Sequence, residues 1–398
     1  MADFYMRRQL IYITKYNKGV VVMRKVLVAL LLCMVVAGTA MAADDVIRIG
    51  FFNCLTGQNA FGGQLELEGV QLALKEFPEI IGKKVELFVV DNRSDAVEAA
   101  NAVTRLIEND NVHVIIGTYG SSLAIAGGRI AEAAGIPMIG TSCTNPLVTQ
   151  GMNYIFRACF IDPLQGAGAA THAFRNLGAR KAALLVDVAN DYAVGLATFF
   201  KQSFEKLGGE IVSDMRYASG DTDFTAQLTE IISREPDVLF FPAYFAEGAI
   251  IMRQARELGS DVQFMGGDAM DNPEAVTLAG NVIEGFTYTG FAYAPDMPNM
   301  NPVAARFTEN WAKEFPNKET NANAALGYDS YLIVKDAIER AGSNEPEKIR
   351  DALAATKDLM TVTGNTTFDE NHNPNKDVAI LEIRDARKVF AGTIVPEM

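Results

Sequence analysis

The sequence predicts an α/β protein made of two similar units, each a parallel sheet flanked by helices, and three observations carry that prediction. Short aliphatic and β-branched runs alternate with stretches of helical spacing from Val46 onward. These runs are nearly all apolar, so each sheet is buried on both faces, as parallel sheets are. The same spacing then recurs in a second set that begins at Lys181.

In chain order, the first strands are VIRIGFF (46–52), KVELFVV (84–90), VHVIIG (112–117) and IPMIG (136–140). Between them GQLELEGVQLALKEF (63–77), DAVEAANAVTRLIEN (95–109) and SSLAIAGGRIAEAAG (121–135) carry helical spacing. NYIFRACFIDPLQG (153–166) reads as a strand and then a proline-containing bend, a segment suited to crossing between lobes. The second strands are KAALLVD (181–187), EIVSDMRY (210–217), DVLFFPAY (237–244) and VQFMGGD (262–268), with helices near 191–207, 224–234 and 246–258. After Phe291 the proline-rich loop AYAPDMPNMNP (292–302) leads into helical spacing at 303–315, 322–341 and 346–356. AILEIRDARKVFAGTIV (379–395) reads as a terminal hairpin.

Size and composition exclude several classes. A chain of 398 residues is long enough for two or three domains. With 49% hydrophobic and 21% charged residues it is neither mainly disordered nor a disulfide scaffold. Its net charge of −14 offers no basic surface for nucleic acid or an anionic membrane. Histidine occurs only at 113, 172 and 372, so no multi-histidine metal site is expected, and no cofactor either.

Residues 1–42 read as upstream residues and a secretory signal peptide. Arg24 and Lys25 precede the apolar run VLVALLLCMVVA (26–37), which is short for a membrane span, and Ala40-Met41-Ala42 follows as a cleavage site. The mature chain is expected to start at Ala43, with residues 1–22 upstream of a true start at Met23. Removing residues 1–42, which hold six basic side chains and one acid, takes the net charge from −14 to −19. Cys33 lacks the small preceding residue of a lipobox and belongs to the signal core. Cys54, Cys143 and Cys159 remain, either as one pair with a spare thiol or as three buried thiols.

In parallel sheets the functional residues sit just past the carboxyl ends of the strands. Here those positions are Thr56 to Phe61, Tyr119 to Ser122, Thr141 to Asn145, Asn190 to Tyr192, Tyr244 and Asp268. They are mainly hydroxyls, aromatics and one carboxylate, with no histidine or lysine among them. Ser121 and Ser122 open a helix and so have an ordinary role as N-caps, which is compatible with anion binding at the same N-terminus. Asp268 likewise has a structural role open to it, as N-cap of the helix expected near Pro273-Glu274.

GTYGSS (117–122), IPMIGTSCTNPLVT (136–149), FFPAYFAEGAIIMRQARELG (240–259) and QFMGGDA (263–269) together resemble the periplasmic leucine/isoleucine/valine-binding protein family. TGQNAFGGQ (56–64) and TGNTTFDENHNP (363–374) resemble its opening loop and a late G-x-x-x-F-D segment. The resemblance runs in order through the whole mature chain. It implies a two-lobed type I periplasmic-binding-protein fold with three crossings between lobes, lobe 1 spanning 44–161 plus 291–376 and lobe 2 spanning 162–290 plus 377–398. It also implies a monomeric receptor that takes a free amino acid, branched-chain or otherwise apolar, to the permease subunits of an ABC importer.

Carried over by position, Ser121 and Thr144 would hold the ligand α-carboxylate, and the Ser142 carbonyl would meet the α-ammonium. Tyr244 and Asp268 would approach that ammonium from the other lobe, and Phe61, Tyr119, Tyr192 and Leu326 would line the side-chain pocket. The chain departs from the family type at three of these positions. Asp268 stands where Glu is frequent, Phe61 where Tyr is common and Leu326 where an aromatic is common. Pocket volume separates aliphatic ligands by only ~1–3 kcal/mol per methylene, so these changes leave the preferred amino acid open.

Weaker motifs do not compete. Gly166-x-Gly168 lacks the third glycine of a dinucleotide fingerprint, and the calcium-like spacing from Asp369 to Asn375 has Pro374 where the loop needs glycine. A rival reading is a sensor of amides, urea or aromatic acids on the same fold, but Asp268 opposite hydroxyl anion binders favours a zwitterion. An enzyme would need a phosphate loop or an acid/base pair at the strand ends, and neither is visible there.

Overall fold

Two sheets organise the chain, and the computed structural model describes them within Met6 and residues 46–397. The signal-peptide reading, with Cys33 and the start at Ala43, lies outside the described residues. Among those described, no helix is long and apolar enough to cross a membrane.

The first set of elements is β1 (Val46–Asn53), α1 (Ala60–Glu76), β2 (Glu79–Ile80), β3 (Lys83–Asp91), α2 (Ala96–Glu108), β4 (Val114–Ile116), α3 (Ser121–Ala134), β5 (Met138–Gly140) and β6 (Ile155–Arg157). Their strands form a six-stranded sheet in the order β2-β3-β1-β4-β5-β6. The second set is α4 (Asp162–Thr171), β7 (Lys181–Asp187), α5 (Asp191–Lys206), β8 (Glu210–Tyr217), α6 (Thr225–Ser233), β9 (Val238–Phe240), α7 (Phe245–Glu257), β10 (Gln263–Gly266), α8 (Pro273–Ala279) and β11 (Thr287–Phe291). Three helices follow, α9 (Pro302–Glu314), α10 (Ala322–Ala341) and α11 (Pro346–Ala354), then a small hairpin of β12 (Leu359–Thr361) and β13 (Gly364–Thr366). The chain ends with β14 (Val378–Arg384) and β15 (Arg387–Ile394). The second sheet has seven strands in the order β15-β14-β11-β10-β9-β7-β8.

The parallel expectation holds for the inner strands of both sheets, β2 departs from it at one edge, and the hairpin expected at 379–395 forms the other. β1, β4, β5 and β6 pair parallel, as do β8, β7, β9, β10 and β11. β2 runs antiparallel to β3. The terminal hairpin adds β14 antiparallel to β11, because the chain re-enters the sheet from the far end after its helical excursion.

Local sequence explains the helix limits. Asp95 accepts from the N–H groups of Val97 and Glu98 at the start of α2, and Asn321 does the same for Asn323 and Ala324 at the start of α10. Gly342, with φ 58°, lets the chain leave α10 in the left-handed conformation. The cap of α8 corrects the structural reading of Asp268: Asn272, not Asp268, accepts from Glu274 N–H.

α10 packs on α1 above the first sheet, and their backbones touch. A Cβ added at Gly69 would lie 2.0 Å from the Ala324 carbonyl oxygen, and one at Gly327 would lie 2.1 Å from that of Glu66. Around this contact Phe51, Ile116, Phe156, Phe307, Trp311 and Tyr328 form one buried cluster. So the helices after residue 301 belong to the core of the first sheet although the chain reaches them from the second. The return crossing is pinned by Lys376, whose buried Nζ donates to Thr361 and Thr363 and lies 3.6 Å from the Asp329 carboxylate.

Gly69→Ala tests the helix contact. In an exposed helix the change would stabilise by about 1 kcal/mol, but here it forces the helices apart. Chemical denaturation should show a net loss of about 1–2 kcal/mol; a gain would mean the two helices can separate freely.

Candidate functional site

In each sheet the strand order reverses beside its first strand, between β1 and β4 and between β7 and β9. Such a switch point opens a crevice at the carboxyl ends of the strands. The loops from the two crevices meet. After β4 come Tyr119, Gly120 and Ser121, and after β5 comes Ser142; after β7 comes Tyr192, after β9 Tyr244, and after β10 Asp268 and Ala269. These eight residues line one cavity.

Six of the nine residues singled out from the sequence are therefore brought together: Tyr119, Ser121, Ser142, Tyr192, Tyr244 and Asp268. The cavity itself is about 10 Å³, roughly the space of one water. It is small because the tyrosines fill it. Tyr244 packs against Tyr119 at 5.6 Å and against Tyr192 at 5.9 Å, and the Tyr119 hydroxyl donates to the Ala269 carbonyl at 3.5 Å.

Thr144, Phe61 and Leu326 are placed elsewhere. Thr144 is buried with its carbonyl accepting from Asp162 N–H at 2.9 Å, and its hydroxyl faces the Asp162 carboxyl. Phe61 is half-buried beside Phe245, ring centroids 6.4 Å apart, joining α1 to α7. Leu326 lies wholly inside the core under α10.

The two ends of the cavity differ in charge character. On one side α3 begins at Gly120, with φ 98° and no side-chain cap. Neither Ser121 nor Ser122 is the N-cap, so the first-turn N–H groups and the positive end of the helix dipole are left for another acceptor. The Ser121 hydroxyl accepts from Asn145 N–H at 3.1 Å, which leaves its own hydrogen free to donate. Ser122 Oγ accepts from Asp191 N–H, and Asn145 Nδ2 donates to the Asp191 carbonyl at 2.7 Å, tying the two strand-end loops together.

On the other side Asp268 is 4% exposed. Burial pushes its carboxyl up to about 6, against hydrogen bonds from Gln165 and Tyr192 that favour the ion. Gln165 donates through Nε2 to Asp268 Oδ1 at 2.8 Å and also reaches Thr289 Oγ1 at 3.2 Å. Gln165 was not legible as a site residue: its only sequence signal is its place one turn into the helix that follows the crossing bend.

A second carboxylate was missed altogether. Glu66 on α1 is fully buried and accepts from Asn53 Nδ2 at 2.6 Å and from the hydroxyls of Thr141 and Ser142. Burial lifts its carboxyl to about 7, with the Ser142, Thr141 and Asn53 bonds pulling the other way. Its signal was present in the spacing, since Glu66 lies three residues from both Gly63 and Gly69 on the buried face of the helix.

No group of residues that could hold a metal ion occurs among the described residues. Asp369 instead closes its own turn, accepting from Asn371 and Asn373 N–H. Cys54, Cys143 and Cys159 are buried free thiols.

Two parallel-sheet units meeting over a cleft whose ends carry a helix N-terminus and a carboxylate define a ligand-binding protein. Residues 46–388 match the periplasmic binding protein family, and the chain belongs to it. It resembles the leucine binding protein LivK of Thermotoga maritima, with 40% identity over 88% of this chain and 99% of that one and a TM-score of 0.85. It resembles the branched-chain amino acid transporter substrate binding protein LivJ of Streptococcus pneumoniae, solved with isoleucine, at 32% identity, 88% and 100% coverage and a TM-score of 0.82. The Leu/Ile/Val-binding protein BraC3 of Rhizobium johnstonii is 29% identical over 352 residues, 87% of this chain and 94% of that protein.

Gln165→Met tests the support of Asp268. Removing the donor should raise the Asp268 pKa from about 6, so ionisation is lost at a higher pH on acidification. Affinity for an ammonium-bearing ligand should then begin to fall at a higher pH than in the parent, measured by calorimetry from pH 8 to 5. An unshifted acid limb would show that Gln165 does not hold the carboxylate.

Proposed function

We propose that the chain is an extracytoplasmic receptor that captures a free amino acid, branched-chain or otherwise apolar, between two lobes and delivers it to an ABC importer. The single observation that carries this reading is the pairing of poles across one cavity: the uncapped N-terminus of α3 with Ser121 on one side, and buried Asp268 on the other. A zwitterion matches both poles at once. A simple acid or a neutral amide matches one.

In this reading Ser121 and the first-turn N–H groups of α3 take the α-carboxylate, with Thr144 close behind them. The Ser142 carbonyl, Tyr244 and Asp268 take the α-ammonium, and Tyr119 and Tyr192 enclose the side chain. Phe61 and Leu326 act through packing. The lobes are 44–161 plus 291–376 and 162–290 plus 377–398, a division supported by the separate sheets and by the packing of α9 to α11 on the first. A cavity of about 10 Å³ cannot admit an amino acid, so the lobes must part for entry and close over the ligand. Binding then shifts the population toward the closed form that the permease recognises. No covalent step, metal or cofactor is involved. The protein acts as a monomer, exported by a cleaved signal peptide.

Asp268→Asn is the deciding variant. It keeps shape and hydrogen-bonding ability and removes the charge. Losing the counter-charge of a desolvated ammonium costs ~3–5 kcal/mol, so the dissociation constant for leucine or isoleucine should rise roughly 100- to 1000-fold with little change in melting temperature. A rise below tenfold would overturn the amino-acid reading. Small-angle scattering of the parent protein should show a smaller radius of gyration at saturating ligand than when the lobes are free to open; an unchanged profile would refute hinged closure.

A further inference from the structure

Asp268 has buried Asp162 for a neighbour in its own unit, and in the first unit a further buried carboxylate, Glu66, has no cation to answer it. Glu66 lies wholly inside the first unit, and its three hydrogen-bond donors are all neutral. Two of them, Thr141 and Ser142, form the loop that follows β5, and Ser142 lines the cavity. The Ser142 carbonyl in turn accepts from Gly120 N–H at 3.1 Å, linking this loop to the start of α3. A charge held behind a wall of neutral donors with no counter-ion costs free energy to fold. A neutral acceptor would tie the same strand-end donors together without that cost.

We propose that Glu66 is a positioning and specificity-determining residue that fixes the Ser142 wall of the cleft and biases the site toward ligands carrying an ammonium group over plain carboxylates. This rests on the amino-acid reading and deepens it. With Glu66 behind Ser142 and Asp268 opposite, a cationic group bound between them meets negative charge from both units. A carboxylate without an ammonium meets the same charge as repulsion.

The groups that face Glu66 leave it as the one that titrates near neutrality on its side. Cys54 after β1, Tyr119 after β4 and Cys143 after β5 each feel its charge, but burial pushes Cys54 (to about 12) and Tyr119 up, and the neighbouring Cys159 and then burial raise Cys143. Across the cleft Asp268 sits at about 6 and is mostly ionised at pH 7, while its neighbour Asp162, raised by burial to about 8, is mostly protonated. Glu66, raised by burial to about 7, is about half protonated there. An arriving ammonium favours the ion, so binding expels that proton, and affinity for an amino acid falls as pH drops through 7.

The test compares L-leucine with 4-methylpentanoate, the same skeleton without the amine, on the parent, Glu66→Gln and Asp268→Asn, by calorimetry at pH 8 and pH 6. Glu66→Gln should weaken leucine roughly tenfold at pH 8, leave 4-methylpentanoate unchanged or tighter, and reduce the fall in leucine affinity from pH 8 to pH 6 to the part that Asp268 causes. Equal weakening of both ligands would mean a merely structural role and overturn the inference. If Asp268→Asn loses leucine and Glu66→Gln does not, this inference alone falls. If the parent prefers 4-methylpentanoate, the amino-acid reading falls and takes it along. Should Glu66→Gln fold poorly, the parent decides: leucine binding at pH 7, measured in buffers of different ionisation heat, should release roughly half a proton, and no release overturns the proposal.

Discussion

The polar ends of buried parallel strands must find partners inside the protein, and the cleft depends on how the first unit meets that demand. Strands covered on both faces finish in loops that water cannot freely reach, so their backbone groups need internal acceptors and donors. Asn53 at the end of β1 supplies them. Its Oδ1 accepts from Cys54 N–H, Tyr119 N–H and the Thr118 hydroxyl, and its Nδ2 donates to Glu66. Asn92, just after β3, donates to the same Thr118 hydroxyl, and Glu66 gathers Thr141 and Ser142 after β5. Four strand ends are thereby locked into one network, and the walls of the cavity that come from this unit are its outer surface.

The second unit meets the same demand with a lighter network centred on Asp268. Gln165 comes from the helix that starts directly after the crossing, so the carboxylate is held by the element nearest the hinge. Asp162, on the first turn of that helix, is itself fully buried and its carboxyl is pushed up to about 8 by desolvation, with Asp268 adding to the rise. The crossing segment thus brings one buried acid, Asp162, beside Asp268, and the charge of each bears on the other. Elsewhere the units meet through Phe61 against Phe245 and through polar bonds: Asn321 Nδ2 donates to the Asp271 carbonyl at 2.9 Å, and Asn145 reaches the Asp191 carbonyl. Each of these polar bonds is readily exchanged for bonds to water.

The fold was legible because its signals are local. Apolar runs with helices between them announce parallel strands, and KAALLVD, EIVSDMRY and the helix at 322–341 have the bounds their composition suggests. The terminal hairpin read at 379–395 is β14 and β15, whereas the two-residue β2 and the short pair β12–β13 were not separable from loop chemistry, since strands so short carry no period. Of the site, the residues directly after strand ends were legible because topology alone puts them in the crevice. Thr144, Phe61 and Leu326 resisted, since one turn of backbone decides whether such a residue faces the cleft or the core.

What the sequence determined by itself is therefore the order of elements, the repetition of the α/β unit and the set of loops that meet at the strand ends. Only tertiary structure decided that Glu66 and Gln165 belong beside the cleft, that Asn272 caps α8 and frees Asp268, and that Leu326 is core. The physical reason is that periodicity reports which face of an element is buried, whereas the identity of a buried polar group's partners depends on chain segments far away. Glu66 meets Ser142 across 76 residues and Gln165 meets Asp268 across 103.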